Sequence, residues 1–448
     1  MLYSFPLLIT FILFSILLLA LFYRTSYRWV ALLISSVLFY FLFVNEFIFV
    51  LFLFSLIIHF GGIIISRKNF PRPLHWLIIT VSLFPLILFK FSDLIPQFHI
   101  SYFVGLSFFT FNGISYLIDI KRGYQKPERN YFIVLLYLSY FPALLAGPLH
   151  RAKHLIPQFQ SKIILSNQNF SSAFRLILWG WFKNYVLATH FKFIVDTIFN
   201  APDDYTGFYV LFGGFAFVGQ IYCDFTSYID ISQGISALFG IKTNSNFKDR
   251  VYASASRTEF WEGWHITLNH WFRDYFFFEI TKGISERWKL NFALLLTFIL
   301  IGLWHGATLA FVLWGLLNGI WILLEKKFNH KFDFINQKWK NTVGIIYHLF
   351  FASIIALFFR SYDLQKTFSS LFCFTESPND GLYLIKLIAL IIPAFLFMDY
   401  VYRKAKNKRI DEYIGEQTTL KRWIFYFGIA FMILVFGKLS DDFYYFKF

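Results

Sequence analysis

The sequence predicts an all-α, polytopic integral membrane protein, and three observations carry that expectation. Hydrophobic residues fill 57% of the 448 positions and charged residues only 15%. The mean hydropathy is +0.56. Apolar runs long enough for a helical crossing recur from end to end. Soluble domains do not keep such a composition, and about 20 apolar residues suffice to cross the hydrocarbon core as a helix.

Taken in order, candidate spans lie near 5–23, 28–45, 47–66, 74–90, 101–119, 131–147, 171–190, 207–223, 226–240, 260–280, 290–304, 307–324, 343–359, 382–400 and 422–439. The first, Phe5 to Tyr23, has no basic leader and no small-residue cleavage site, and it runs at once into further apolar segments. It therefore reads as a retained span rather than a signal peptide. Several later runs are short, polar or interrupted by glycine, so about eleven cross fully. The others read as re-entrant or half-spanning helices, which are tolerated at membrane depth where protein covers them or they line a cavity. No Gly/Ser-rich or Pro-rich linker divides the chain, and no internal repeat stands out, which weakens a secondary-transporter reading. Residues 1–448 read as a single membrane domain with an aromatic tail at 440–448.

The formal charge of +15 is gathered into short loops. Arg24 and Arg28 form one group; Arg67, Lys68 and Arg72 another; then come Lys121, Arg122, Lys126 and Arg129, then Lys242, Lys248 and Arg250. Lys326, Lys327 and Lys331 follow, and finally Arg403 through Arg409. Asn45–Glu46 and the stretch from Asp196 to Asp204 are acidic or neutral. This is the positive-inside pattern rather than a nucleic-acid footprint. It puts the N-terminus outside, the basic loops in the cytoplasm and the C-terminal tail outside. Cys223 and Cys373 lie far apart in apolar or near-apolar segments and form neither a disulfide framework nor a CxxC site.

Ionisable side chains in a bilayer are expensive and mark candidate sites, which singles out the histidines of WHITLNHWFRDY (Trp264 to Tyr275) and GLWHG (Gly302 to Gly306). On a helix, residues four apart share a face, so Trp261, His265, Asn269 and Arg273 are expected to form one polar stripe. Leu268, Phe272 and Tyr275 edge it, Asp274 follows Arg273, and His270 falls off it. Imidazole can take a proton near neutral pH, while Asn or Arg can stabilise developing negative charge, which suits a hydroxyl substrate and a polarised carbonyl. The same groups could equally satisfy one another in a packed bundle, and spacing leaves both readings open.

His305 sits between Gly302 and Gly306, after Leu303 and Trp304, at the deep end of an apolar run. Small flanking residues let other backbone or a thin substrate approach, although a lone buried histidine is more often a hydrogen-bonded structural residue. His150 and His154 have i, i+4 spacing, but two ligands with Lys153 between them do not make a metal site. That stretch reads as a solvated basic loop.

The stretches GLSFFTFNGISYLIDIKRG at 105–123, FPALLAGPLHR at 141–151, QIYCDFTSYIDISQGISALFGI at 220–241, EFWEGWHITLNHWFRDY at 259–275 and GLWHGATLAFVLWGLLNG at 302–319 resemble the membrane-bound O-acyltransferase (MBOAT) family. More narrowly, they are similar to its bacterial branch, which includes the alginate and peptidoglycan O-acetyltransferase membrane subunits and the D-alanyl transfer protein of teichoic acid. The likeness runs from the first spans to the last residues.

It implies helices around a central tunnel and acyl transfer through that tunnel. The acyl group would arrive as a cytoplasmic thioester, acetyl-CoA in the first place, with no permanently bound cofactor. It would leave on the outer face of a bacterial cytoplasmic membrane for O-acylation of a polysaccharide, with an external SGNH-type acyltransferase as partner and membrane lipids around the chain. On this resemblance His305 is the general base for the acceptor hydroxyl and His265 the second active-site position. Trp264, Asn269, Arg273, Asp274 and Trp304 would surround the thioester, and Arg151 matches the arginine that follows Gly147-Pro148. The tail DDFYYFKF resembles an aromatic C-terminal motif of the branch, so Tyr444 or Tyr445 is a candidate acyl relay. The plain alternative for the tail is an interfacial aromatic belt. After Tyr275 the short connection FFFEITKGISERW is nearer the D-alanyl branch, which keeps D-alanyl transfer from a carrier protein to teichoic acid-type polymers as the alternative reaction. Outside enzymes, the alternatives are a transporter or flippase and a scaffold for an envelope complex.

Overall fold

A computed structural model describes residues 5–22, 25–43, 48–92, 105–144, 147–161, 166–201, 204–328, 336–361, 363–373, 381–406 and 408–438. Tyr444, Tyr445 and the rest of the aromatic tail lie outside the described residues. Among those described, every regular element is helical. In chain order these are α1 (Phe5–Leu21), α2 (Arg28–Phe43), α3 (Ile48–Ile65), α4 (Arg72–Phe91), α5 (Leu106–Lys121), α6 (Tyr131–Ser139), α7 (Phe141–Leu144), α8 (Ala152–Gln160) and α9 (Asn167–Trp181). A π-helical turn (Phe182–Ala188) leads into α10 (Thr189–Asn200), followed by α11 (Phe208–Leu238), α12 (Arg257–Gly263) and α13 (Ile266–Phe272). A second π-helical turn (Arg273–Phe277) precedes α14 (Phe278–Ile280), α15 (Arg287–His305), α16 (Leu309–Phe328) and α17 (Gln337–Arg360). The chain continues through α18 (Leu364–Leu371), α19 (Gly381–Ala405), α20 (Ile410–Gly415) and α21 (Thr419–Phe436).

Seven helices among the described residues are long and apolar enough to cross a membrane: Ile48–Ile65, Arg72–Phe91, Phe208–Leu238, Arg287–His305, Leu309–Phe328, Trp339–Arg360 and Thr419–Phe436. Shorter apolar helices cover Thr10–Leu21 and Arg28–Phe43. Large apolar side chains stand exposed along them, such as Leu17, Phe49, Leu420 and Leu434. In water such surface would aggregate; in a bilayer it is the surface that faces lipid. The chain is a multi-pass, all-α membrane protein.

Four expected spans take a different form. The runs 207–223 and 226–240 are one 31-residue helix, α11. Two of its polar residues bond back to the helix itself, Thr226 Oγ1 donating to the Tyr222 carbonyl (2.7 Å) and Ser227 Oγ to that of Asp224 (2.6 Å), while Asp224 and Asp230 find partners on another element. The run 131–147 contains only the nine residues of α6 and the four of α7. The helix stops at Tyr140, whose ψ of 101° leaves the helical region. The run 260–280 is broken at Trp264 and His265, as described below.

The chain divides into two compact units, residues 5–177 with 231–245 and residues 178–230 with 246–438. In the first, α3 and α5 pack through small residues on both partners. A Cβ on Gly113 would come within 2.8 Å of the Phe54 ring, and one on Gly62 within 2.9 Å of Tyr116. Such close approach replaces the hydrophobic effect, which does not drive helix association in lipid. Arg28 is not a loop charge here. It is buried at the start of α2 and donates to the carbonyls of Gln158 and Phe159 near the end of α8, where a cation complements the helix dipole. His150 also departs from the solvated-loop expectation: it is buried, its carbonyl accepts from Tyr137 Oη (2.7 Å), and only His154 is exposed.

In the second unit, the π-helical turn places Lys183 against Asp230 (2.8 Å) and Asn184 against Asp224 (3.2 Å). An extra residue per turn shifts the side chains around the axis, so adjacent residues of the turn reach two positions of α11. Trp179 Nε1 donates to Tyr402 Oη (3.0 Å) and Arg360 pairs with Asp196 (3.0 Å). The tightest seam joins α15 and α16. A Cβ on Gly302 would lie 2.1 Å from the Phe311 carbonyl oxygen, and one on Gly315 2.2 Å from that of Phe298. Gly315 and Gly319 form a GxxxG pair on that seam.

Candidate active site

The site is built on a helix break and on a helix end. α12 starts at Ser256, whose Oγ accepts from the Glu259 N–H (3.0 Å), and it ends at Gly263. Trp264 is extended (φ −98°, ψ 127°), and His265 is left-handed (φ 46°, ψ 50°) before α13 begins. The loop that precedes α12 holds this break. Lys248 N–H donates to the Gly263 carbonyl (2.9 Å) and Ile266 N–H to that of Asn246 (2.9 Å). Asn246 Oδ1 accepts from Thr267 N–H (3.1 Å) and Thr267 Oγ1 (2.8 Å).

The continuous polar stripe expected for Trp261, His265, Asn269 and Arg273 is therefore not formed. Asn269 spends its amide on the end of α12, donating to the carbonyls of Trp261 (2.7 Å) and Trp264 (2.6 Å). Those carbonyls lost their helical partners at the break and need replacements. Arg273 sits beyond α13, half exposed, with its Nε on Asp274 Oδ1 (2.8 Å).

His265 is buried, its ring 4.8 Å from Phe225 and 6.0 Å from Trp304. His305 is the last residue of α15 and is buried as well. Its ring contacts Trp304 (4.5 Å), Phe359 (4.9 Å) and Trp314 (5.3 Å) edge-on and stacks on Phe311 (6.1 Å). The α15–α16 seam sets its position, because a Cβ on Gly306 would meet the Phe311 ring at 2.6 Å. Trp304 touches both imidazoles.

Both imidazoles line one cavity, together with Phe217, Val218, Ile221, Asp224, Arg257, Phe260, Trp261, Trp264, Trp314, Ala352, Ile355, Ala356 and Phe359. The wall is apolar and aromatic with a few convergent polar groups, the usual make-up of a small-molecule site. Of the residues expected from the sequence, His305, His265 and Trp264 line it and Trp304 backs both imidazoles. Asn269, Arg273 and Asp274 do not line it.

The sequence reading missed two charged residues of this lining, Asp224 and Arg257. Asp224 had a signal, since it is a carboxylate inside an apolar run. Arg257 had none, because SASRTE reads as an ordinary polar connection. An aromatic-walled cavity holding two imidazoles, a carboxylate and a cation suits proton transfer at a carbonyl that gains negative charge, because electrostatic interactions are stronger beside an apolar wall than in bulk water.

Comparison with known proteins agrees with this chemistry. The chain is 36% identical over 230 residues to "Probable alginate O-acetylase AlgI" of Pseudomonas putida, covering 51% of this chain and 46% of that one. It is 28% identical over 295 residues to a peptidoglycan O-acetyltransferase of Helicobacter pylori, covering 59% and 55%. It is 24% identical over 292 residues to a teichoic acid D-alanyltransferase of Bacillus subtilis, covering 60% and 73%. The match thus spans about half the length of the alginate O-acetylase. The family model described as MBOAT, membrane-bound O-acyltransferase family, matches residues 121–362, a stretch that includes both histidines, the glycine seam and the cavity lining, and the chain belongs to that family.

Proposed function

We propose that this protein is a membrane O-acyltransferase that takes an acetyl group from a cytoplasmic thioester, acetyl-CoA, and passes it across the bacterial cytoplasmic membrane for O-acylation of a polysaccharide. The observation that carries the reading is the convergence of the buried His265 and His305, from a helix break and a helix end, on one aromatic cavity in a chain of this family. His305 accepts the proton of the attacking hydroxyl. His265 lies across Trp304 and holds the other side of the reacting group. The apolar wall keeps water from hydrolysing the thioester. Arg273 and Asp274, outside the cavity, contact the donor away from its reacting carbon. An external acyltransferase of the SGNH type receives the group, and the whole chain acts as one membrane domain.

The test is transfer from labelled acetyl-CoA to a hydroxyl acceptor by the full chain in proteoliposomes. His305→Ala is expected to lose roughly 10²–10⁴-fold in rate, as for loss of a general base, while remaining folded. Near-normal transfer by that variant overturns the assignment. Transfer from a D-alanyl carrier thioester but not from acetyl-CoA would keep the chemistry and change the acyl group.

A further inference from the structure

Among the described residues, Arg257 is the one lysine or arginine in the cavity lining, which also holds the carboxylate of Asp224, itself an acceptor for Asn184 Nδ2 (3.2 Å). Arg257 is 3% exposed, and its guanidinium keeps its charge at any pH a cell meets. Nε donates to Asn318 Oδ1 (2.8 Å) and Nη2 donates to the same oxygen. That acceptor is a neutral amide, itself anchored by donation from Nδ2 to the Trp314 carbonyl (2.7 Å). Glu325 acts on the guanidinium through its charge but not through a hydrogen bond: its oxygens accept from the backbone N–H groups of Arg257 (2.7 and 2.8 Å) and Thr258 (3.3 Å) at the start of α12. Among the described residues no ion pair reaches the guanidinium, and Nη1 has no hydrogen-bond acceptor.

What surrounds the charge instead is aromatic. Phe260 lies 4.3 Å, Trp321 5.0 Å and Trp261 5.5 Å from the guanidinium carbon. Ring faces stabilise a buried cation without consuming its N–H donors. A buried charge of this kind is costly when unpaired, and here it belongs to a side chain with one uncommitted donor nitrogen that lines the same cavity as two imidazoles.

We propose that Arg257 binds the oxyanion of the acyl-transfer intermediate through Nη1, a catalytic contact that rests on the acyl-transfer reading above. The acceptor oxygen forms a bond to the thioester carbonyl carbon while its proton passes to the His305 imidazole. The C=O π pair moves onto the carbonyl oxygen, and that oxygen accepts from Nη1. Re-formation of C=O breaks the C–S bond, and the thiolate leaves with the proton from the imidazolium. The guanidinium acts mainly once the carbonyl oxygen carries charge, which is the condition for raising kcat rather than lowering KM.

The experiment measures kcat and KM for acetyl-CoA with the full chain in proteoliposomes, comparing wild type, His305→Ala, Arg257→Ala and Arg257→Lys, each with and without added methylguanidinium. Arg257→Ala is expected to lose about 10²–10³-fold in kcat with little change in KM, as for removal of one oxyanion donor. Arg257→Lys is expected to lose less, and methylguanidinium to restore roughly tenfold to the alanine variant by filling the vacated space. A rate untouched by Arg257→Ala, or a loss that methylguanidinium leaves unchanged, overturns the inference while leaving the acyl-transfer reading standing. A wild-type protein that transfers nothing, or a fully active His305→Ala, overturns that reading itself, and the oxyanion role falls with it.

Discussion

His265 has a backbone conformation that L-residues avoid. At φ 46° and ψ 50° it lies in the left-handed region, which costs roughly 1–2 kcal/mol for a residue with a Cβ. The cost is sustained because its neighbours are clamped by Asn246 and Lys248 on both sides. Strain held in place by surrounding bonds is a mark of functional positions. His265→Ala and His265→Gly should therefore separate two properties. Both lose the imidazole and should lose transfer, but glycine accepts this conformation freely and its variant should melt above the alanine variant by the equivalent of about 1 kcal/mol. Equal melting temperatures in the same detergent would contradict the left-handed assignment. Arg273 gives the opposite case. Its half-exposed place outside the cavity allows contact only with remote parts of the donor, and such binding is the same in ground and transition states. Arg273→Leu should raise KM for acetyl-CoA and leave kcat unchanged, as steady-state kinetics would show; a loss in kcat alone would bring this side chain back to the reacting centre.

Among the elements, the α15–α16 hairpin decides where His305 stands. The two helices touch backbone to backbone, and a methyl group at Gly302 would sit 2.1 Å from the Phe311 carbonyl oxygen. Backbone cannot swing aside as a side chain can, so the helices must part. Gly302→Ala is expected to lower the melting temperature and to cut transfer, because His305 is three residues further along the same helix end. Gly428 is the control, since a Cβ there meets nothing within 4 Å. Gly428→Ala on α21 should leave transfer intact and gain stability by up to about 1 kcal/mol from helix propensity. Matching behaviour of the two variants in thermal melts and transfer assays would refute the seam as the element that positions His305.

Over the whole molecule, exposure and charge together set an expectation for topology. Cys373 is exposed and Cys223 is buried. The basic loops at Lys326–Lys327 and Arg403–Lys404 flank α17 and α19, and the positive-inside rule sends both to the cytoplasm. The connection that carries Cys373 should then lie outside. A membrane-impermeant maleimide is expected to label Cys373 in intact spheroplasts and to leave Cys223 unmodified. Labelling of Cys373 only in inverted vesicles would reverse the topology.

Composition and apolar run length by themselves determined that this chain is helical and crosses a membrane many times, because in hydrocarbon every backbone group must be satisfied within its own segment. That requirement is local, so it is legible residue by residue, and GLWHG with WHITLNHWFRDY marked the two histidines for the same reason: ionisable groups in apolar runs are costly wherever they sit. Tertiary structure alone decided how those histidines meet. Periodicity treats 260–280 as one helix, yet Asn246 and Lys248, from a loop well before it, take the bonds that a helix would have made and turn His265 out of line. It also decided that Arg257, unremarkable beside serine and threonine, is buried among three aromatic rings with a neutral amide for company. Spacing along the chain carries no information about partners that arrive from α16, and the cost of a buried charge appears only once those partners surround it.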